Sequence, residues 1–423
     1  MSVQFPTRIS GLFQAAPLAG FFAAFVLFLS PVPAGANTLS LEDAEQWAVE
    51  ASLEIRLAGT DVRINKGFQK EATAAYMPKL SSRLIPPFVG RESGFFADQI
   101  LWDFGRTRNR VRSRKSLVDM ARLSKKDASN EAVRQARKAF YKVLLEEARL
   151  LYTEKESQLA EMQLERSRIL EKNGRISSLE LARQESDAQS VLFEKQTVSG
   201  NVSRARFELF QLIGKEDVGA SLEVPAYDED AGFVSAEEVL PVIFRANPRL
   251  LSLAERLKSD RANISAARAE FLPVIYGRVA YRFKGEGAQT PAFIAGAGAK
   301  LPIFEGLSRF GRLDRMKAAR ERTEIRIEIE KQRLERDVRR LMMELSHADA
   351  SIELSRQILE NAKEKLILAR EKEQLGAASK LDLVFSEKEY SKFYFKYEES
   401  LYNRRVVIVD LKFLADETPV RGS

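Results

Sequence analysis

Few residues in this sequence have the chemistry of a nucleophile, a general base or a metal ligand. The 423 residues contain no cysteine and one histidine, His347, in the stretch ELSHADA. The lack of cysteine excludes a thiol nucleophile, a thiolate metal site and a disulfide. His347 has no second imidazole as a partner, and a helix histidine at or near the surface is its simplest interpretation. The sequence therefore predicts no catalytic residue, no metal site and no cofactor.

Two glycine-containing stretches share only part of the pattern of a phosphate-binding loop. AGAGAK, which ends at Lys300, is not followed by serine or threonine, and IGKED, around Gly214, lacks the upstream glycine. The abundant Asp and Glu residues alternate with Lys and Arg, as they do on the solvated faces of long helices. We expect a protein that is not an enzyme.

The charge of the chain is spread along its length. Lysine and arginine number 67 and aspartate and glutamate 60, for a net charge of +7, and 45% of the residues are apolar. Interspersed charges favour long solvated helices over a basic arm that binds nucleic acid. The sequence thus predicts no nucleic-acid partner.

The first 36 residues have the pattern of an export signal. A lone Arg8 precedes the apolar run GFFAAFVLFL, and SPVPAGA follows, ending in a small-residue pattern at Ala36. We predict a secretory signal peptide over residues 1–36. The alternative is an uncleaved membrane anchor, but the run is short for a span of about 20 residues, and Pro31 and Pro33 interrupt its end.

The rest of the chain is an internal duplication. GRISSLELA at Gly174 recurs as GAASKLDLV at Gly376, an offset of 202 residues (376 − 174), and LSLEDAEQWAVEAS at Leu39 recurs as VSAEEVLPVIFRAN at Val234, an offset of 195 (234 − 39). Each half has the pattern helix, strand pair, long helix, tight turn, long helix. The predicted boundaries are a first repeat over 37–213, a linker over 214–233, a second repeat over 234–417 and a tail over 418–423.

The longest predicted helix runs from Arg106 to Lys172. It contains neither proline nor glycine, and apolar residues recur in it at steps of three and four. Its 67 residues would span about 100 Å, which a compact domain does not need. A similar helix is predicted from about Leu313 to Gln374. Both indicate coiled-coil hairpins or a helical wall.

The repeated glycine motif is suited to reversing one helix into the next. Gly174 and Gly376 fit the left-handed position just past a helix end. Ser177 with Glu180, and Ser379 with Asp382, have the spacing of capping boxes. We expect four leucines to close the hairpin ends: Leu179, Leu181, Leu381 and Leu383. Any helical hairpin could use this turn, so alone it predicts no function.

The strand pairs favour a membrane. The stretch from Val274 to Phe283 alternates apolar and polar residues, and the one from Ala292 to Ile303 alternates small and apolar residues. Both suit tilted membrane strands of roughly 9 to 11 residues. KLSSRLIPPF and GFFADQILWDF are the shorter equivalents in the first half. The alternative is a soluble β-hairpin. Aromatic residues predicted at the membrane boundary are Trp102, Phe104, Tyr276 and Phe304.

Two further features concern assembly and the membrane edge. Four strands cannot close a barrel, and open edges are not tolerated in lipid, so spanning strands require several protomers to share one barrel. The basic run from Arg106 to Lys115 could bind nucleic acid, but its steps of two spread the charge around a helix. Contact with anionic head groups or a solvated surface fits an exported protein better.

From about Leu39 to Glu417 the sequence resembles the TolC-like outer-membrane efflux protein family. The duplicated element order, the strand-to-helix junctions LWDFGR and LPIFEG and the two glycine motifs carry this resemblance. It implies a mainly helical homotrimer whose protomers each give four strands to a twelve-stranded barrel, with a hollow helical cylinder in the periplasm. It also implies an outer-membrane channel that passes substrates outward from an inner-membrane transporter, through a periplasmic adaptor. Adaptor docking would fall at the hairpin ends: Gly174, Ser177, Glu180, Gly376, Ser379 and Asp382.

The sequence departs from the family pattern in three places. Ala378 stands where many members have a basic residue, Phe385 where a gating carboxylate is placed, and the first strand pair is short. The alternative function is a soluble periplasmic coiled-coil scaffold or adaptor-like protein. Such a protein would not need the alternating strands.

Overall fold

The structure, a computed structural model, describes residues 38–83, 93–224, 235–282, 292–303 and 306–417. The predicted signal peptide, the tail over 418–423 and Phe304 lie outside these residues. The elements in chain order are β1 (Thr38–Leu39), α1 (Leu41–Ala51), α2 (Leu53–Thr73), β2 (Lys79–Arg83), β3 (Gly94–Trp102), α3 (Arg106–Lys172), α4 (Ser178–Ile213), β4 (Ser221–Leu222), α5 (Ala236–Ala246), α6 (Pro248–Arg268), β5 (Val274–Arg282), β6 (Ala292–Lys300), α7 (Ser308–Gln374) and α8 (Lys380–Leu414).

The two halves repeat each other element by element. Helices α5 and α6 follow α1 and α2 at an offset of 195 residues (236 − 41), and α7 follows α3 at 202 (308 − 106). Helices α3 and α7 are both 67 residues long. Helix α3 has the bounds that the sequence predicts. Helix α7 begins five residues before the predicted start (313 − 308) and ends at the predicted residue.

Each half opens with two helices where the sequence predicted one. The break falls at Ser52, where ψ is 117°, and at Asn247, where ψ is 118°. These ψ values are extended and not helical. Asn247 accepts hydrogen bonds from the Arg249 and Leu250 N–H groups, each at 3.1 Å, and Pro248 occupies the first helical position. These are strong helix-start signals, so the chain bends and begins a new helix.

Four strands form one antiparallel sheet in the order β2-β3-β5-β6. Among the described strands, β2 and β6 lie at its two edges. The central pair joins the two halves, with Asp98 opposite Arg278. A β-bulge interrupts the pairing between Ile100 and Trp102. Separately, β1 pairs in parallel with β4.

The helices next to the sheet keep the order of the strands. Helix α2 leads into β2, β3 leads into α3, α6 leads into β5, and β6 leads into α7. The same order governs packing, because α2 packs on α3, α3 on α6, and α6 on α7. We call these four the upper layer. Farther from the sheet, a lower layer has the order α4-α3-α8-α7.

The apolar core follows the repeat. In the first half Phe140, Leu209 and Ile213 are fully or almost fully buried, together with residues of α1, β1 and β4. In the second half Val338 and Leu411 take part in the corresponding clusters of α5 to α8. Fully burying one such side chain contributes roughly 1.5–3 kcal/mol, so these clusters anchor the long helices.

The start of the predicted linker is folded onto the first half. Arg206 holds Asp217 through two hydrogen bonds of 2.8 Å, and Leu222 of β4 is buried in the first core. Residues 225–234 lie outside the described part of the chain. Division of the chain at 214–233 stays a prediction. Within the described residues, no helix combines the length and apolar character needed to cross a membrane.

Candidate functional site

The loop between α3 and α4, which we call the first tip (residues 173–178), is a Schellman motif. Gly174 has the predicted left-handed backbone, with φ of 67°. Its N–H donates to the Glu171 carbonyl at 2.8 Å, and the Arg175 N–H donates to the Leu170 carbonyl at 2.9 Å. These two bonds satisfy carbonyls at the end of α3 and stop the helix.

The second tip (residues 375–380), between α7 and α8, has the same geometry. Gly376 has φ of 70°. Its N–H donates to the Glu373 carbonyl at 3.0 Å, and the Ala377 N–H donates to the Lys372 carbonyl at 2.8 Å. A Cβ at Gly174 or at Gly376 would meet no atom within 4 Å. The tips are therefore set by backbone conformation and present open surfaces.

The serine caps differ between the tips. At the second tip Ser379 Oγ accepts from the Asp382 N–H at 3.2 Å, and the Ser379 N–H donates back to the Asp382 carboxylate at 3.0 Å. This capping box is complete, as predicted. At the first tip Ser177 Oγ accepts from the Glu180 N–H at 3.2 Å, but the Glu180 carboxylate lies 3.7 Å from Arg183. The predicted box forms there only in its serine half.

The complete box has an electrostatic consequence. Hydrogen bonds from the Ser379 hydroxyl, then from its N–H, lower the pKa of the Asp382 carboxyl below its ordinary value. The charged carboxylate is also favoured by the positive end of the α8 dipole. Asp382 is thus ionised throughout the neutral pH range.

The leucines predicted to close the tips do so only in part. Leu181, Leu381 and Leu383 are half-buried, but Leu179 is 65% exposed. The prediction for Leu179 is wrong, because a side chain that is 65% exposed does not pack across the tip. Val384, 2% exposed, is the buried residue at the start of α8.

Ion pairs behind the tips hold the two hairpins side by side. Glu387 of α8 bonds Lys155 of α3 at 2.9 Å and lies 3.6 Å from Arg370 of α7. Arg166, near the end of α3, contributes favourably to the charge of Asp382. Both tips therefore lie at the same end of the molecule.

Of the aromatic residues predicted at a membrane boundary, the structure describes Trp102, Phe104 and Tyr276. Trp102 and Phe104 contact each other edge to face, with ring centroids 6.1 Å apart, and both are exposed. Trp102 pairs with Ile275, whereas Tyr276 lies on the opposite sheet face and covers Gly298. Phe104 also has an unusual φ of 52°, just before Gly105 at 82°. These two left-handed residues turn β3 into α3.

The sheet has one apolar and one mixed face. Residues directly opposite each other share a face, which places Phe95, Tyr281 and Phe293 together on the exposed apolar side, with Val279 on the same side two residues along β5. The other face carries a cross-strand ion pair in which Arg278 donates to Asp98 at 2.5 and 3.2 Å.

The basic run at the start of α3 converges on a buried carboxylate that the sequence did not single out. Glu270, just after α6, is 8% exposed and accepts hydrogen bonds from Arg106 at 3.2 Å, Arg110 at 3.0 Å and Arg312 at 2.7 Å. Burial and then Arg110 lower the pKa of the Arg106 guanidinium. Arg106 and Arg110 of the basic run are therefore engaged within the protein and do not serve as a solvated surface or as contacts for lipid head groups.

Comparison with known proteins finds one matching family model and several solved structures with the same fold. The family model described as "Outer membrane efflux protein" matches residues 242–388, which cover part of α5, all of α6 and α7, the strands β5 and β6, and the second tip. The match covers 147 residues (388 − 242 + 1) of the 423 in the chain. No curated protein matches the sequence.

Solved structures with this fold include outer membrane channels. The chain is similar to the CmeC outer membrane channel of Campylobacter jejuni (15% identity, TM-score 0.67, covering 89% of this chain and 85% of that one) and to the outer membrane protein VceC of Vibrio cholerae (16%, 0.69, 89% and 95%). It is also similar to the open state of the MtrE outer membrane channel of Neisseria gonorrhoeae (20%, 0.63, 89% and 88%). At these identities the likeness establishes the fold alone.

Two of these solved structures, CmeC and MtrE, are described as outer membrane channels. His347 is exposed on α7. In the described part of the chain, no three His, Cys, Asp or Glu side chains come together in a way that could hold a metal ion.

Proposed function

We propose that this protein is a member of the outer membrane efflux protein family and forms an outer-membrane channel from three copies of the chain. Each protomer contributes β2, β3, β5 and β6 to a shared twelve-stranded barrel, and its helices continue the wall through the periplasm. Solutes pass along the interior without an energy source in this chain. An inner-membrane transporter delivers them through a periplasmic adaptor.

The observation that carries this proposal is the shared lateral order of sheet and upper layer. The sheet extends from β2 of the first half to β6 of the second half, and the upper layer extends in the same direction from α2 to α7. A sheet with two open edges needs a partner at each edge. Copies placed side by side join β6 to β2 and α7 to α2, which extends both layers at once and closes a ring.

The distribution of exposed apolar side chains supports side-by-side assembly. In the described helices of the two layers, the edge helices α2, α4 and α7 carry most of them, whereas the central helices α3, α6 and α8 carry few. On the edge helices they are Leu53, Leu57, Ile64, Phe68, Leu179, Leu192, Phe193, Phe207, Phe310, Ile325, Ile329, Met343, Leu354, Ile358, Ile367 and Leu368; on the central helices they are Leu151, Ile169 and Phe385. Such edges are suited to burial against a neighbour.

The apolar sheet face favours lipid over the alternative function. A soluble periplasmic scaffold would expose Phe95, Val279, Tyr281 and Phe293 to water at a free-energy cost. On the membrane-spanning side of a barrel the same residues meet acyl chains, and the Asp98–Arg278 pair faces the interior.

The tips are proposed as the adaptor-docking surfaces, at Gly174, Ser177 and Glu180 and at Gly376, Ser379 and Asp382. They are exposed, lie at the end away from the sheet, and share a backbone conformation. Replacing Gly376 by valine together with Ser379→Ala is expected to impair export in the host while leaving trimers in the outer membrane. Export at the wild-type level by this double variant would contradict docking at the second tip.

Disulfide crosslinking tests the shared barrel directly, because the chain has no cysteine of its own. We expect Ser81→Cys in β2, combined in turn with Ile294→Cys, Gly296→Cys or Gly298→Cys in β6, to give a covalent trimer on non-reducing gels in at least one combination. The matched control pairs Ser81→Cys with Ala280→Cys in the interior strand β5.

Two outcomes would contradict the proposal. One is an absence of intermolecular crosslinks in all three combinations, and the other is equal crosslinking in the control. Density-gradient fractionation of cell envelopes from the same cultures gives the location, and a heat-sensitive trimer in the outer-membrane fractions is expected. A soluble monomer would favour the periplasmic scaffold.

A further inference from the structure

A cavity of about 710 Å³ lies where the upper layer meets the sheet. All four helices line it, through the end of α2, the starts of α3 and α7 and the part of α6 from Arg256 onward. Four helices packed side by side can line one cavity only if the layer bends around it. The cavity therefore lies on the concave face of the upper layer.

The cavity is strongly cationic. Its charged lining residues are Arg110, Arg114, Arg256, Arg312, Arg315, Glu71 and Glu270. Five guanidinium groups thus face two carboxylates. Because Glu270 also binds Arg106, the excess of positive charge extends to the rim of the cavity.

Two carboxylates near the cavity, Glu270 and Asp260, are already engaged, whereas Glu71 is exposed. Glu270 is shared by three arginines, and Arg256 lies 3.4 Å from Asp260, which also accepts from the Thr323 hydroxyl at 2.7 Å. Among the described residues, no carboxylate pairs with Arg114 or Arg315. Arg114 instead lies over the ring of Phe68, with 5.0 Å between the guanidinium carbon and the ring centroid.

Two further groups in this region lack a partner. The buried Nε of Arg106 donates to no acceptor in the described residues. Asn263 lines the cavity with an amide for which the described residues supply no hydrogen bond. Clustered guanidinium groups repel one another, and an oxyanion relieves this repulsion while accepting paired N–H groups in the geometry that phosphate offers.

We propose that this cavity is an oxyanion-binding site that takes phosphate-bearing solutes, with Arg114 and Arg315 as the principal ligands. The inference rests on the proposed channel, since ring closure turns the concave face toward the conduit. Three copies then form a ring of cationic sites below the barrel, which favours the passage of anionic solutes.

Calorimetric titration of the full-length protein in neutral detergent with inorganic pyrophosphate tests the binding site. The test variant is Arg114→Gln with Arg315→Gln. The matched control is Arg112→Gln with Arg322→Gln, which removes two exposed arginines from the same helices but outside the cavity. We expect the test variant to weaken pyrophosphate binding at least about tenfold and the control to remain within about twofold of wild type.

Absence of pyrophosphate binding to the wild type, or equal weakening in both variants, would overturn the site. Repeating the titration with phosphatidylglycerol in the detergent identifies the source of the phosphate. Undiminished pyrophosphate binding supports a solute, whereas loss of pyrophosphate binding would assign the site to a lipid head group and overturn the solute proposal.

Reversal potentials in phosphatidylcholine bilayers under a potassium chloride gradient separate this inference from the proposed function. We expect an anion-selective wild-type pore and a shift toward cation selectivity in the test variant only. A pore whose selectivity is the same in all three proteins overturns the site and leaves the channel intact. An absence of conductance in all three, with pyrophosphate still bound, would contradict the channel and keep the binding site.

Discussion

Gly376 stops α7 by adopting a backbone conformation that other residues reach only at a cost. A Cβ at this position would meet no neighbouring atom, so the cost of Gly376→Ala comes from the backbone alone. We expect a loss of roughly 1 kcal/mol in the free energy of unfolding, measured by thermal melting in detergent. Gly59→Ala, in α2 and also without a nearby atom, is the control and should stabilise the protein slightly. Equal effects of the two substitutions would contradict this account.

The two serine caps give a second residue-scale prediction. Ser379→Ala removes two hydrogen bonds of the hydroxyl, one accepted from the Asp382 N–H and one donated to the Asp382 carboxylate, whereas Ser177→Ala removes one. We expect Ser379→Ala to cost about 1 kcal/mol and Ser177→Ala less. Hydrogen exchange in the first turn of α8 and of α4 would measure this, and greater exchange at α4 would be evidence against it.

The pH dependence of the second cap follows from Asp382. Its folded-state pKa is lowered by Ser379, so its contribution to stability is present at neutral pH and is lost as the pH falls below about 4. The difference in first-turn exchange between wild type and Ser379→Ala should therefore shrink at pH 3. A difference that persists unchanged at pH 3 would show that the carboxylate does not take part.

At the scale of elements, Glu270 links α6 to the starts of α3 and α7. Glu270→Gln leaves three arginines without their carboxylate, so we expect a loss of about 2–4 kcal/mol in the free energy of unfolding. Chemical denaturation in detergent measures it. Glu71→Gln, an exposed position on the same cavity, should be nearly neutral. A neutral Glu270→Gln would mean that packing alone holds these helices.

Sequence patterns predicted the helices and strands better than the side-chain contacts between them. The bounds of α3 followed from an uninterrupted helical period, and the tips followed from local cap chemistry. Glu270 could not be found in this way, because two of its three arginines are separated from it by 164 and 160 residues and meet it only when the halves pack. Leu179 was misplaced for a related reason, since a leucine beside a cap has the same local pattern whether it is buried or exposed.

At the scale of the whole molecule, the proposed assembly depends on the exposed apolar residues of α7. Ile329, 57% exposed on this edge helix, should be buried against a neighbouring copy. We expect Ile329→Glu to shift the protein from trimer to monomer in light scattering, because it places a charge in an apolar contact. Leu151→Glu on the central helix α3, where the leucine is 42% exposed, is the control and should leave the trimer intact. The reverse result would place the interface on the central helices.

The uninterrupted length of α3 and α7 makes each of them a lever. A rigid rod of about 100 Å that tilts by about 5° at one end moves its other end by about 9 Å. A small shift in side-chain packing near Glu270 or Phe140 is therefore magnified at the tips, and the ion pairs of Glu387 resist such a movement. In the proposed channel, the width of the far opening would depend as much on the fit of side chains near the middle of the long helices as on the residues that surround the opening.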